Sequence, residues 1–170
     1  MWSFVPLVQY HGGGDAATLE PLSDHLREYR THMVQNFGTG IQACYRGPRV
    51  YDTEETKQMV VDVIGWYKKY RLILNSDIIH LRKPDARDWD GIMHVSPKEK
   101  ERALAMLYNP LDEDITREIT LPLYYTGLTQ KARIREKEGK AKTYKLDSKQ
   151  SVTLKVTIPA RGYTWYVVEE

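Results

Sequence analysis

The 170-residue chain has a single cysteine, Cys44, so no disulfide closes within it, and a lone thiol assigns no compartment. Phenylalanine is scarce: there are 2 Phe against 12 Tyr and 4 Trp. Such amphipathic aromatics suit half-buried strands and sugar-stacking clefts alike. No apolar run approaches the length of a membrane span, and no basic segment leads into a small-residue cleavage site. Neither a transmembrane helix nor a signal peptide is therefore expected. An excess of one charge is also missing, because 25 basic and 23 acidic residues leave a net charge of +2. That balance gives no reason to expect nucleic acid or an anionic membrane as a partner. With 41% hydrophobic and 28% charged residues the composition is that of an ordinary globular protein, without repeats or low-complexity tracts.

Several chemical signatures are absent as well. A phosphate-cradling Walker loop needs Gly-Lys-Ser/Thr, whereas Gly139-Lys140 runs into Ala141. A dinucleotide loop needs G-x-G-x-x-G, and Gly12-Gly13-Gly14 continues as Asp15-Ala16-Ala17. The stretch His11-Gly12-Gly13-Gly14 resembles an esterase oxyanion loop, but no serine sits in the G-x-S-x-G elbow that this chemistry requires. Zinc motifs are missing too, so no metal site and no cofactor is expected.

What is present changes period near Asn75-Ser76. Before that point, an apolar strand over Phe4–Tyr10 is followed by the glycine loop and then a helical stripe of Leu22, Leu26, Tyr29, Met33 and Phe37. Pro21 suits the first turn of this helix, and Gly38 and Gly40 end it. A second strand, Ile41–Tyr45, precedes Asp52-Thr53-Glu54-Glu55, a helix start whose acids suit the positive end of the helix dipole. Val60, Val63, Ile64, Tyr67 and Leu74 form the stripe of that helix. The order is strand-helix-strand-helix, the pattern of parallel βα units.

Beyond Ser76 the period is two. Strands are predicted near Ile78–Arg82, Gly91–Val95, Ala103–Tyr108, Ile115–Leu121, Ala132–Glu136, Thr143–Leu146, Val152–Ile158 and Tyr163–Val168, separated by turn signals such as Asn109-Pro110 and Gly162. This spacing predicts an antiparallel sandwich. The charge-dense stretch Arg133–Lys142 reads as a solvated hairpin, and Trp165, alternating with polar Thr164, reads as sandwich core.

The segments "FVPLVQYHGGGDAATLEPL", "GIQACYRGPRVYDTEETK", "WYKKYRLILNSDIIHLRKPDARDWDGIMHV", "ALAMLYNP", "LPLYYTGL" and "IPARGYTWYVVE" resemble, in order and texture, the tail of bacterial glycoside hydrolases of the α-galactosidase kind. The resemblance covers essentially the whole chain and includes no catalytic signature. It implies an α+β architecture: a partial (β/α)8 barrel remnant of two βα units over 1–76, then a C-terminal antiparallel β-sandwich over 77–170. A whole barrel takes roughly 250 residues. The resemblance therefore places both catalytic carboxylates on barrel strands ahead of this chain, which leaves no catalytic residue here. Glycosidic hydrolysis needs two such groups flanking one bond, so Asp15 and Asp90 are not promoted to fill the gap.

In a barrel the loops after the strands carry substrate contacts. Two residues of the first loop, His11 and Asp15, and two at the end of the second strand, Tyr45 and Arg46, are accordingly the candidate carbohydrate contacts. The alternative for the glycines is a plain turn with Asp15 capping the helix, and for Arg46 a salt bridge to Asp52. The expected function is that of a portion of a glycosidase, silent by itself, with self-association through an exposed barrel edge. The alternative is a stand-alone, non-catalytic carbohydrate- or partner-binding sandwich module.

Overall fold

A computed structural model describes residues 2–6, 19–46 and 48–170, with backbone only for 2–6, 42–44 and 46. The chain is α+β and divides into two compact units, Met1–Arg71 and Leu72–Glu170.

In the first unit, β1 (Trp2–Pro6) and β2 (Gln42–Arg46) pair in parallel, with α1 (Leu26–Gly38) between them in sequence and α2 (Glu54–Leu74) after them. The strand expected over 4–10 is thus seen as Trp2–Pro6, while 7–10 lie outside the described residues, as does the glycine loop. Pro21 does not enter the helix; it stands immediately before a 3-10 turn, Leu22–His25, that leads into α1. Leu22, Tyr29, Met33 and Val34 are buried along this segment. Gly40, at φ +70, ends it in a Schellman arrangement: the Gly40 N–H donates to the Phe37 carbonyl (3.1 Å) and the Ile41 N–H to that of Asn36 (2.9 Å).

The start of α2 is a reciprocal cap. The Thr53 hydroxyl accepts from the Thr56 N–H (3.2 Å), and the Thr56 hydroxyl accepts from the N–H groups of Asp52 and Thr53 (3.0 Å each). Threonine takes the place that glutamate usually holds in this motif.

The second unit holds the eight strands expected from the sequence. One sheet has six strands in the order β3 (Asp77–Arg82), β4 (Asp90–Val95), β5 (Glu101–Tyr108), β10 (Tyr163–Glu169), β7 (Lys131–Glu136), β8 (Lys142–Lys145). The other pairs β6 (Ile115–Pro122) with β9 (Ser151–Ile158), antiparallel in register from Ile115 opposite Ile158 to Pro122 opposite Ser151.

One face of each sheet enters a common core, which gives a sandwich-like arrangement. Val152, Leu154, Val156 and Ile158 of β9 meet Met93, Ala105, Ile134 and Val168 of the large sheet within it. Burying an aliphatic side chain of this size contributes about 1.5–3 kcal/mol, an upper figure given a compact unfolded chain. That dominates over surface ion pairs such as Arg161–Asp112, which contribute little. On the outer face of the small sheet the threonines pair across strands, Thr120 with Thr153 at 2.8 Å and Thr116 with Thr157 at 3.0 Å.

One expectation is corrected. Trp165 is not in the core between the sheets. Thr164, Tyr166 and Val168 are fully or nearly fully buried, and the latter two belong to that core. Alternation along β10 turns Trp165 to the opposite face, where it stacks on Tyr163 (6.2 Å between ring centroids) beneath the Lys137 ammonium (5.7 Å). Thr164 tolerates burial because its hydroxyl donates to the Glu136 carboxylate (2.6 Å). Trp89 packs against the sandwich core, so the loop 85–91 folds onto its own unit.

Candidate functional site

The first unit sets its candidate residues by strand direction. In the parallel ladder Val5 faces Tyr45 and Pro6 faces Arg46, so both strands end side by side. The chain leaving each strand therefore emerges at the same end of the sheet. His11 and Asp15 belong to the segment that leaves β1, and both lie outside the described residues. Arg46 closes β2 as backbone, and Tyr45 is placed with its side chain. The juxtaposition of the four candidates remains an expectation.

Tyr45 has an unusual setting. Its hydroxyl is buried and has no hydrogen-bond partner among the described residues. Its ring stands edge-to-face on Tyr29, centroids 6.0 Å apart and planes at 75°. The Tyr29 hydroxyl donates to the Val50 carbonyl (3.0 Å). Burial pushes the Tyr29 phenol up to about 12, while burial and then the neighbouring Tyr29 push the Tyr45 phenol up as well. Tyr45 is thus a neutral phenol at any ordinary pH. It offers a hydrogen bond to a sugar hydroxyl or a carboxylate and is no base. An unsatisfied buried hydroxyl costs roughly 1–3 kcal/mol, so a partner at this position would be stabilising.

The loop beyond β2 is fixed to the approach to α1 by two carboxylates. Glu20 accepts from Arg49 through Oε1 (2.9 Å to Nε) and Oε2 (3.3 Å to Nη2). Asp52 accepts through Oδ2 from the Ser23 N–H (2.9 Å) and hydroxyl (3.1 Å), and through Oδ1 from the Thr56 hydroxyl (2.9 Å). Desolvation works to raise the Asp52 carboxyl, but the hydrogen bonds from Ser23 and Thr56 win and hold it below the usual carboxylate range. Both groups therefore hold loops together, and Asp52 stays ionised in this role.

In the second unit Asp90 opens β4 opposite Tyr108 of β5, and burial raises its carboxyl against the opposing pull of Arg82. Among the described residues no cluster of three His, Cys, Asp or Glu side chains has metal-binding geometry. The sequence reading overlooked Tyr124 and Tyr125, which follow β6 in "LPLYYTGL"; they are 66% and 62% exposed and meet edge-to-face at 5.2 Å. Two adjacent aromatics two residues before Gly127 were the available signal.

Neither a family profile nor a curated protein sequence matches the chain. Solved structures do match, and they give it a glycosidase-related fold. An α-amylase from Geobacillus thermoleovorans in complex with acarbose is similar at a TM-score of 0.63 and 12% identity, over 100% of this chain and 39% of that one. A GH36 α-galactosidase, AgaA from Geobacillus stearothermophilus in complex with raffinose, is similar at 0.62 and 21% identity, over 99% of this chain and 22% of that one. The galactosidase domain of the α-galactosidase–sucrose kinase AgaSK gives 0.60 and 21%, with 99% and 22% covered. The chain thus spans well under half the length of the structures it resembles. At these identities the likeness carries the fold.

Proposed function

We propose that the chain is the C-terminal portion of a glycoside hydrolase: the last two βα units of its barrel, followed in sequence by the C-terminal sandwich. The observation that carries the reading is the coverage. Nearly all of this chain matches α-galactosidase structures of which it spans 22%. The βαβα order of the first unit and its parallel β1–β2 pair support it.

In this reading the enzyme hydrolyses glycosidic bonds, and its two carboxylates stand on barrel strands outside this chain. The chain supplies one wall of the substrate cleft. Tyr45 donates its unengaged hydroxyl to a sugar oxygen, Arg46 bonds hydroxyls or pairs with a catalytic carboxylate, and His11 and Asp15 contact the sugar from the loop after β1. The Glu20–Arg49 and Ser23–Asp52–Thr56 ties keep the loop beyond β2 in place. Among the described residues the two-strand pair has no further neighbour, and α2 exposes Val61 (55%) and Leu72 (62%), so the isolated chain self-associates through this surface. A monodisperse monomer that binds no hydrophobic dye would count against that part.

The test is the DNA immediately upstream of the Met1 codon. An in-frame continuation encoding further βα units, with two acidic strand ends, supports the reading. A stop codon directly upstream with no such units nearby refutes it, and the exposed Tyr124–Tyr125 pair then favours a stand-alone carbohydrate-binding module.

A further inference from the structure

The second unit contains an open cavity of about 520 Å³ at the edge where the β7–β8 hairpin approaches β9, remote in sequence from the residues discussed above. Its volume lies within the usual range for small-molecule sites, roughly 300–1,000 Å³. One wall is the β7–β8 hairpin and the other is β9. β8 ends the six-stranded sheet and β9 pairs only with β6 among the described residues, so the cavity lies between two free strand edges. Backbone donors and acceptors on such edges are available to a ligand's hydroxyls.

The lining includes three lysines, Lys140, Lys142 and Lys155, two tyrosines, Tyr144 and Tyr166, and one carboxylate, Glu136. Residues 131–155 carry nine basic and three acidic side chains, although the whole chain has a net charge of only +2. Lysines on an edge strand also deter sheet-to-sheet pairing, so their number alone decides nothing. Their pairing decides more. On the same hairpin Arg135 is bonded to Glu169 (3.2 Å) and Glu138 (3.5 Å), and Lys137 lies over Trp165. The three cavity lysines form no ion pair among the described residues, and Lys155 reaches the rim from the outer face of the small sheet, where it stands opposite Glu118.

The one carboxylate in the lining, Glu136, accepts hydrogen bonds from Thr164 (2.6 Å) and Tyr166. It is outnumbered by the three ammonium groups. The Gly139 N–H donates to the Glu136 carbonyl at 2.9 Å, a contact that leaves no room for a Cβ at position 139.

We propose that this cavity binds an acidic saccharide. The lysines take its carboxylate or sulfate groups, and the tyrosines and free strand edges take its ring and hydroxyls. This proposal does not depend on the glycosidase reading.

The test is calorimetric titration of the full chain with trigalacturonate, with a sulfated trisaccharide, and with neutral maltotriose. An acidic probe should bind and maltotriose should not, and whichever acidic probe binds identifies the anionic group. Removing the three lysines together (Lys140→Ala, Lys142→Ala, Lys155→Ala) should weaken binding by at least about tenfold, as expected for three point charges near the ligand. Affinity should fall with added salt. Removing Lys131 and Lys149, which are exposed but outside the cavity, should change it little. The proposal is overturned if neither acidic probe binds, if maltotriose binds equally, or if the triple variant binds like the parent. Equal loss on removing Lys131 and Lys149 overturns it as well. All of these outcomes leave the upstream-DNA test untouched.

Discussion

Asn109 read as a turn residue in the sequence and proves to be a buried bracket, 3% exposed, at one end of the sandwich. Its Nδ2 donates to the carbonyls of Glu113 (2.8 Å), Pro159 (3.1 Å) and Ile158 (3.2 Å), and its Oδ1 accepts from the Leu111 N–H (3.0 Å). One side chain thus ties the β5–β6 loop to the β9–β10 turn. Asn109→Ala removes all four bonds. Each is worth about 0.5–1.5 kcal/mol net, and three of the four join partly buried groups that water can reach, so the loss should be about 2–4 kcal/mol. With a urea slope of about 2 kcal/mol/M, the unfolding midpoint should fall by about 1–2 M, read from the fluorescence of Trp89 and Trp165. Asn109→Asp adds a check on sign. It sets a carboxylate against three carbonyl oxygens, which raises its folded-state pKa, so that variant alone should regain stability as the pH falls toward 4. A midpoint shift below about 0.3 M for Asn109→Ala would refute the bracket.

The Asp52 carboxyl is held low in the folded chain, so its contribution is present above the unfolded carboxylate pKa of about 3.9 and is lost as pH falls through the lower folded value. A stability–pH curve should accordingly flatten at its acid end in Asp52→Asn, and an unchanged curve would contradict the role given to the Ser23 and Thr56 bonds. Thr56→Val keeps the shape of the residue but orphans the N–H groups of Asp52 and Thr53, and should cost about 1–2 kcal/mol by chemical denaturation. Gly91→Ala and Gly65→Ala should have opposite signs. A Cβ at 91 would lie 2.6 Å from the Met106 carbonyl oxygen, whereas at 65 it meets nothing, so the first lowers the melting temperature and the second adds about 0.5–1 kcal/mol.

Strands such as Val152–Ile158 were legible because buried and exposed residues alternate along them, and Glu101–Tyr108, buried over its last six residues, because it is a short apolar run. Which strands are neighbours was not legible. Periodicity assigns a face, whereas the β5–β10 and β10–β7 pairings depend on contacts distant in sequence. Trp165 was put on the wrong face because hydropathy ranks Trp inside and Thr outside. One hydrogen bond from Thr164 to Glu136 reverses that order. Tyr45 was visible as a candidate from its place at a strand end, but Tyr29, which sets its surroundings, was visible only as a stripe residue of α1. The cavity escaped notice because its lysines come from a hairpin and a separate strand, and in the sequence they look like a solvated charge run.

The proposal that this chain carries a wall of a sugar cleft and neither of the two acids that cleave the bond has a direct test. The most direct measurement is hydrolysis of a panel of nitrophenyl α- and β-glycosides by the purified chain alone. The account predicts no release of nitrophenol above the buffer background. Steady turnover that disappears in Asp15→Ala would contradict it.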